Sequence, residues 1–234
     1  MESTLFIEIV TATRMSKDDF WSKSALGQSL KRLVYDPETY HLNAHVAYEN
    51  KSPLPVIFNS RISAQNKYEI LIFIHDDVWI DDYFLADRVI EGLNTYDVIG
   101  VAGNRRKIQN QANWSSMWVD EKFIWDDKRF LSGSVAHGPS PFGTVNYYGR
   151  SPSECEQMDG VFLAAKKSTL IANEIKFDPR FDFHFYDMDF CRSAREKGLR
   201  LGTWPICLTH QSVGNFSKQR WREIYALYHK KWEE

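Results

Sequence analysis

Residues 68–80 read YEILIFIHDDVWI and carry the strongest structural signal in the chain. Within them, Ile70–Ile74 is an unbroken apolar run, which predicts a strand buried on both faces of a parallel sheet. His75, Asp76 and Asp77 follow at once. Ligands of open α/β folds bind at the carboxyl ends of the strands, so these three side chains are candidate binding groups. The alternative is a solvated turn, where adjacent acidic residues are common.

Two adjacent acidic residues on an extended chain point in opposite directions. Asp76 and Asp77 can therefore divide two tasks between them. One carboxylate ligates a divalent cation, and the other accepts hydrogen bonds from a sugar or ribose hydroxyl. This arrangement makes a metal ion the first cofactor to consider.

The composition is that of a globular chain. Its 234 residues are 43% hydrophobic, enough to bury the core of one domain or of one domain with an appendage. Lys and Arg (29) nearly balance Asp and Glu (31), so charge gives no reason to expect a nucleic-acid partner. The apolar runs are too short to span a bilayer and the N-terminus is acidic, from which we expect a soluble, cytoplasmic protein. Three separated cysteines fit neither a disulfide framework nor a zinc site.

Strands and helices alternate along the first half of the chain. The apolar patterns predict strands at residues 4–10, 41–48 and 97–102, and helices at residues 16–34, 56–65 and 81–93. The last of these helices has a predicted buried stripe of Phe84, Leu85, Val89 and Leu93. The alternation indicates right-handed crossovers and a single α/β domain with a mostly parallel central sheet flanked by helices.

Residues 105–152 lack periodicity and contain Trp114, Trp118 and Trp125. An irregular segment of this length inside a compact domain is typical of a lid or a binding loop, or is partly disordered. Its aromatic side chains can stack on a ring-shaped ligand, although they more commonly anchor a loop to the body of the protein. We predict an irregular lid or acceptor loop.

Acidic residues mark two further boundaries. Asp159 and Gly160 precede an apolar strand at residues 161–165, and Asp187 and Asp189 lie near the start of a helix that ends at a glycine. Carboxylates at a helix N-terminus are favoured by the helix dipole alone. The surrounding aromatic residues, however, would bury a carboxylate and raise its pKa toward that of a general base; they are Phe183, Phe185, Tyr186 and Phe190.

The C-terminal part is predicted as a strand at residues 199–206, a polar loop at residues 207–216 and an amphipathic helix at residues 217–234. His210 in the loop is either a metal ligand or a hydrogen-bonded structural group. The helix carries aromatic residues on one face and basic residues around it. It is a candidate for peripheral contact with a membrane surface or a partner, and more commonly such a helix covers the sheet.

Four segments taken together resemble the GT-A-fold glycosyltransferases, in particular the inverting family 2 and its glycosyltransferase-like relatives. They are HDDV at residues 75–78, MDGV at residues 158–161, FYDMDFC at residues 185–191, and the late His210. The resemblance covers residues 4–216 and implies a GT-A-like catalytic and nucleotide-sugar-binding domain over residues 1–216, followed by the helix at residues 217–234. By this resemblance the chain moves a sugar from a nucleotide sugar, with UDP as nucleotide, to a hydroxyl of a glycan, lipid or small molecule.

The resemblance also assigns roles to residues. It implies a DXD-like motif in which Asp77 ligates Mn²⁺ or Mg²⁺, Asp76 contacts the ribose or the metal, and His210 completes the metal shell. His75 stands where the first aspartate of the motif often stands. Asp187 takes the place of the catalytic base, with Tyr186 replacing the usual first acid.

The remaining assignments rest on the same resemblance. Asp189 is the alternative base, and Asp159 lies near the sugar or the acceptor. Thr11, Arg14 and Glu49 fall where the family holds the uracil and the ribose. Arg61 falls where a basic residue approaches the donor phosphates.

Three other functions compete with this interpretation. A nucleotide-sugar-binding protein of the same fold could have lost transfer, which the His75 and Tyr186 departures permit. A nucleotidyltransferase should have a glycine-rich loop after the first strand, but residues 11–14 contain no glycine. A glycoside hydrolase using Asp77 and Asp187 as its carboxylate pair would need neither nucleotide nor metal.

Overall fold

The computed structural model describes residues 4–212 and 218–233 of the chain. The strands are β1 Leu5–Ala12, β2 Tyr40–Ala47, β3 Ile70–Ile74, β4 Val78–Ile80, β5 Val98–Gly100, β6 Ala102–Asn104, β7 Gln111–Asn113, β8 Ser116–Val119, β9 Lys122–Trp125, β10 Leu131–His137, β11 Thr144–Gly149, β12 Ser153–Cys155, β13 Gln157–Met158, β14 Phe162–Lys166, β15 Leu201–Thr203 and β16 Leu208–His210. The α-helices are α1 Lys17–Lys23, α2 Ala25–Leu30, α3 Leu54–Arg61, α4 Leu85–Leu93, α5 Lys167–Ala172, α6 Tyr186–Glu196 and α7 Lys218–Trp232.

The central sheet confirms the predicted α/β class. Its strand order is β12-β15-β5-β14-β3-β1-β2. β3 lies beside β1 in parallel, and its five residues are all buried. Leu71 and Phe73 pack into one hydrophobic core, whereas Ile70, Ile72 and Ile74 pack into the other. A strand between two cores has no solvated face, which explains its unbroken apolar sequence.

The sheet is less parallel than predicted, because β14 runs antiparallel between β3 and β5. An antiparallel strand begins at the edge where its neighbour ends. Phe162 at the start of β14 therefore pairs with Ile74 at the end of β3. This register puts Asp159 and Gly160 beside the acidic turn that follows β3.

The prediction of an irregular loop at residues 105–152 was wrong. Strands β7, β8 and β9 form a small antiparallel sheet, and β10 and β11 form an antiparallel pair. β10 also belongs to a second sheet of order β13-β6-β10-β16-β4. His210 lies in β16 of that sheet, and not in a loop, paired with Val78 on one side and His137 on the other.

Two helix predictions need correction. The helix predicted at residues 16–34 is two helices, divided at Ser24. Ser24 ends α1 with its backbone N–H on the Phe20 carbonyl and begins α2 with its side chain accepting from the Gly27 N–H. Phe84 precedes α4 and is 63% exposed, so it is not part of the buried stripe.

The apolar face of α7 is buried within the protein. Trp221 and Tyr228 contact the ring of Phe185, and Ile224 is also buried. The face that the sequence offered for a membrane or a partner is therefore already covered. Among the described residues, none of the helices has the length and apolarity needed to cross a membrane. Residues 213–217, with the predicted boundary between 216 and 217, lie outside the described residues.

Candidate functional site

A cavity of about 690 Å³ opens at the carboxyl end of β3. Segments distant in sequence supply its titratable side chains. Most come from the end of β3, the turn before β14 and the start of α6, which lie together: His75, Asp76, Asp77, Asp159, His184, Tyr186 and Asp187. His137, Tyr148 and His210 come from β10, β11 and β16. The structure thus brings Asp77 and Asp187 into one cavity, as the sequence interpretation requires.

His75, Asp77 and His210 form a compact cluster. One ligand atom from each lies within 4.8 Å of the other two. His210 Nε2 lies 3.2 Å from Asp77 Oδ1. Burial alone would raise the pKa of Asp77, but the hydrogen bond and charge of His210 outweigh it and lower this pKa to about 2. Asp77 is therefore a carboxylate at any physiological pH.

The protonation of His75 follows from its hydrogen bonds. Tyr186 donates its hydroxyl hydrogen to the Gly160 carbonyl at 3.0 Å, and His75 Nε2 lies 2.8 Å from the same hydroxyl. A hydroxyl has one hydrogen to donate, so His75 Nε2 must be the donor in this second bond. Burial lowers the pKa of His75, which keeps its ring neutral. Its Nδ1 then carries the free lone pair.

These three residues fit a divalent metal ion. Ligand atoms about 2.1 Å from a shared ion stand about 3 Å apart when they are adjacent in its shell. The separation of 3.2 Å between His210 Nε2 and Asp77 Oδ1 matches that spacing. Two imidazoles with one carboxylate favour a transition metal such as Mn²⁺ over Mg²⁺, which prefers oxygen ligands.

Asp187 is held at the N-terminus of α6 by backbone donors. The Gly160 N–H donates to Oδ2 at 2.9 Å, and the Met188 N–H donates to Oδ1 at 2.8 Å. Burial and the nearby charge of Asp159 raise the pKa of Asp187 to about 7. Phe185, immediately before the helix, has a φ of 64°, a left-handed conformation that costs energy in a bulky residue. Strain of this kind is typical of functional sites.

Asp159 is oriented by an aromatic side chain from the segment that the sequence left irregular. Trp114 donates its indole N–H to Oδ2 at 2.7 Å, and the Val161 N–H donates to Oδ1 at 2.9 Å. Trp114 itself is only 7% exposed and meets Tyr148 edge to face. The small sheet is therefore tied to the acidic groups of the cavity.

Asp76 lies in the same cavity but away from the histidine cluster. Burial raises its pKa, and a hydrogen bond from the Thr13 side chain opposes that effect. The loops after β1 and β2 meet at this edge, where the Glu49 N–H donates to the Met15 carbonyl. Arg14 and Glu49 are exposed and, like the fully buried Thr11, they do not line the cavity.

Two of the predicted residues have other partners. Arg61 does not line the cavity and makes a bidentate ion pair with the buried Glu8, at 2.9 Å for both bonds. Asp189 does not line the cavity, and its Oδ1 contacts Lys231 Nζ at 2.6 Å and Trp232 Nε1 at 3.0 Å. In this structure Arg61 and Asp189 are therefore members of ion pairs outside the cavity, and their predicted roles stay predictions.

Among the cavity residues that sequence reasoning missed are His137 and the hydrogen bond of Tyr186 to His75, and it gave neither Trp114 nor His75 a specific role. The only signal for His75 was its place before the two aspartates. His137 is the register partner of His210 across β10 and β16. Such pairing is invisible in the sequence, because the two residues are far apart along the chain.

Fold and site together define an α/β protein with a cavity at the carboxyl edge of its sheet, lined by acidic and imidazole groups. Residues 27–228 match the sequence model of the glycosyltransferase-like family. The chain belongs to the glycosyltransferase-like family, and its class is that of transferases that use nucleotide sugars.

Solved structures give weaker likenesses. TarS 1–349 from S. aureus, solved in complex with UDP, has 12% identity and a TM-score of 0.46 over 89% of this chain and 61% of that one. A 4-diphosphocytidyl-2C-methyl-D-erythritol synthase from Anaerococcus prevotii has 10% identity and a TM-score of 0.46 over 98% of this chain and 100% of that one. No curated protein matches the chain.

Proposed function

We propose that this protein is a metal-dependent glycosyltransferase that moves a sugar from a UDP-sugar to an acceptor hydroxyl with inversion at the anomeric carbon. The observation that carries the proposal is the shared cavity. It is lined by three candidate metal ligands, His75, Asp77 and His210, and by the separate carboxylate of Asp187, whose pKa is about 7. The cytoplasmic location stays a prediction from the sequence.

His75, Asp77 and His210 would hold the cation. A divalent ion held there would supply positive charge to the diphosphate leaving group as the glycosyl bond breaks. Tyr186 fixes the ring of His75 by accepting its Nε2 hydrogen, which leaves Nδ1 as the ligand atom. Such partners of metal ligands orient the ligands and tune their basicity.

Asp187 acts as the general base. The acceptor oxygen forms a bond to the anomeric carbon, the bond from that carbon to the diphosphate oxygen breaks, and the electron pair leaves with the diphosphate. The hydroxyl proton passes to Asp187. A base is most effective when its pKa lies near the working pH, and burial has raised the pKa of Asp187 to about 7.

The nucleoside belongs at the edge formed by the loops after β1 and β2. Asp76 is the group there that accepts hydrogen bonds from ribose, since it lines the cavity beside Thr13. Arg14 and Glu49 on the adjoining exposed loops extend this surface toward the base. Asp159 lines the same cavity and its charge acts on Asp187, so we assign it to the region of the transferred sugar.

The test measures UDP release from a panel of UDP-sugars with Mn²⁺ and mixed acceptors. We expect Mn²⁺-dependent release that falls by about 100-fold to 10,000-fold in Asp187→Asn, the range for loss of a general base. UDP affinity should be unchanged in that variant. UDP binding without turnover of any donor would instead support a nucleotide-sugar-binding protein, and an absence of UDP binding would reject both functions.

A further inference from the structure

Part of the cavity lining is aromatic. We call Trp114, Phe123, Trp125 and Tyr148 the aromatic wall. The rings of Trp125 and Tyr148 lie nearly parallel, with an interplanar angle of 18° and centroids 6.1 Å apart. Trp114 meets both of them edge to face, at 4.9 Å from Tyr148 and 6.4 Å from Trp125. Trp114, Trp125 and Tyr148 are therefore a packed unit of defined geometry, whereas Phe123 packs on Trp118 and Trp221.

Trp125 is the open member of the wall. Trp114 is buried and anchored by its hydrogen bond to Asp159, whereas Trp125 is 59% exposed while lining the cavity. A large ring that is held by its neighbours but leaves a face uncovered is already positioned to pack against a ligand. Little conformational entropy is then lost on binding.

Polar groups with fixed orientation border the aromatic wall. The side-chain oxygen of Asn113 accepts three hydrogen bonds of 2.9 Å, from the Ser115 N–H, the Ser115 hydroxyl and the Ser116 hydroxyl. This fixes the amide, and its NH₂ group has no hydrogen-bond partner in residues 4–212 or 218–233. Asn146, also in the lining, bonds to His137 Nδ1.

A flat apolar surface bordered by directional donors suits one class of ligand. A pyranose ring presents C–H groups on its face and hydroxyls around its edge, so it can stack on Trp125 while its hydroxyls bond to Asn113. A lipid chain would leave the Asn113 NH₂ group without a partner, at a cost in binding free energy. The chemistry of the lining thus favours a saccharide.

The wall is connected to the proposed base through two contacts. Trp125 touches Trp114, and Trp114 is bonded to Asp159, whose charge acts on Asp187. The contacts from Trp125 to the carboxylates thus run through the ring of Trp114. A second ring joined to the stacked one extends the ligand past Trp114 toward Asp187.

We propose that the aromatic wall is the acceptor subsite and that the acceptor is a saccharide of at least two rings, one stacked on Trp125 and the next presenting its hydroxyl to Asp187. The part of this inference that places the reacting hydroxyl at Asp187 rests on the proposed function. The part that assigns a saccharide to the aromatic wall does not depend on whether transfer occurs.

The experiment uses the full chain with Asp187→Asn as background, saturated with UDP and with diamagnetic Mg²⁺ in place of Mn²⁺, and saturation-transfer NMR with cellobiose, lactose, maltose and chitobiose. We expect at least one disaccharide to bind, with saturation transferred from the protein to the C–H protons of its ring. Trp125→Ala should weaken that binding about tenfold, the effect of losing one aromatic contact, and Trp125→Phe should retain most of it. Phe142→Ala is the matched control, since Phe142 is 66% exposed and lies outside the lining.

Each outcome decides a separate point. If none of the four disaccharides binds, or if Trp125→Ala and Phe142→Ala behave alike, the proposal is overturned. If Trp125→Ala weakens UDP and the disaccharide equally, the wall belongs to the nucleotide and the proposal also fails. Disaccharide binding that depends on Trp125 in a protein that binds no UDP would uphold the subsite while rejecting the proposed function. Melting temperatures of all variants exclude unfolding as the cause.

Discussion

The backbone N–H of Gly160 donates a 2.9 Å hydrogen bond to Oδ2 of Asp187, joining the start of β14 to the start of α6. The approach is possible because residue 160 has no side chain. A Cβ there would lie 2.3 Å from the Tyr186 hydroxyl oxygen and 2.9 Å from Asp187 Cβ. The sequence Asp159-Gly160 thus lets a proposed base and the hydroxyl that orients His75 sit against the same turn.

Gly160→Ala should abolish activity, because the N-terminus of α6 must move to relieve the contacts with Tyr186 and Asp187. Overpacking of this kind costs about 1–3 kcal/mol of unfolding free energy. The control is Gly198→Ala, where the space is open but φ is +79°, so stability falls by about 1 kcal/mol with no change in the site. The turnover rate and the unfolding free energy from chemical denaturation are measured for both variants and compared. Equal activity in the two would show that the close packing at Gly160 has no functional role.

The pH dependence of kcat/KM should follow the titration of the Asp187 carboxyl group. A general base works only when deprotonated, and its pKa is about 7, so the rate at saturating Mn²⁺ should fall about tenfold per pH unit below 7 and level off above it. The charge of Asp159 contributes to this raised pKa. Asp159→Asn should therefore shift the acidic fall of kcat/KM to lower pH. If this fall does not shift, the charge of Asp159 does not raise the pKa of Asp187.

Tyr186→Phe tests the hydrogen bond that fixes His75. The variant keeps the buried ring but removes the hydroxyl that bonds to His75 Nε2 and to the Gly160 carbonyl. Loss of such a partner lowers metal affinity about 10-fold to 100-fold. Competition titrations with Mn²⁺ measure the affinity, and Tyr68→Phe serves as the control because Tyr68 is buried outside the cavity lining. Unchanged affinity would contradict the role of His75 as a ligand.

Asp189→Asn separates structure from chemistry within α6. Asp189 is buried against Lys231 and Trp232 and does not line the cavity. The variant should lose about 1–3 kcal/mol of unfolding free energy, the cost of weakening a charged hydrogen bond in the interior. Its kcat should match that of the wild type below the melting temperature. A loss of kcat as large as that of Asp187→Asn would reverse the assignment of the base.

Local sequence was enough to predict the elements that position the site. Ile70–Ile74 is apolar throughout because it lies between two cores, and the aspartates after it meet Asp187 because β14 and α6 begin at the same edge. Those positions depend on short-range patterns of burial and on the order of strands and helices. Both are readable along the chain.

Partners distant in sequence were not predictable in the same way. Arg61 resembled a phosphate contact, yet it is neutralised by Glu8, a residue 53 positions earlier. His210 was predicted in a loop, but pairing of β16 with β4 and β10 places it in a strand beside His137 and close to Asp77. The strands within residues 105–152 are mostly three or four residues long, too short to establish an alternating pattern.

Calorimetric titration of UDP into the wild-type protein, with Mn²⁺ and then with EDTA, tests the central claim most directly. The claim is that a cation held by His75, Asp77 and His210 binds the diphosphate beside Asp187. We predict binding with Mn²⁺ that is lost with EDTA and in Asp77→Asn, and retained in Asp187→Asn. UDP affinity that is the same with Mn²⁺ and EDTA, or unaffected by Asp77→Asn, would contradict the account.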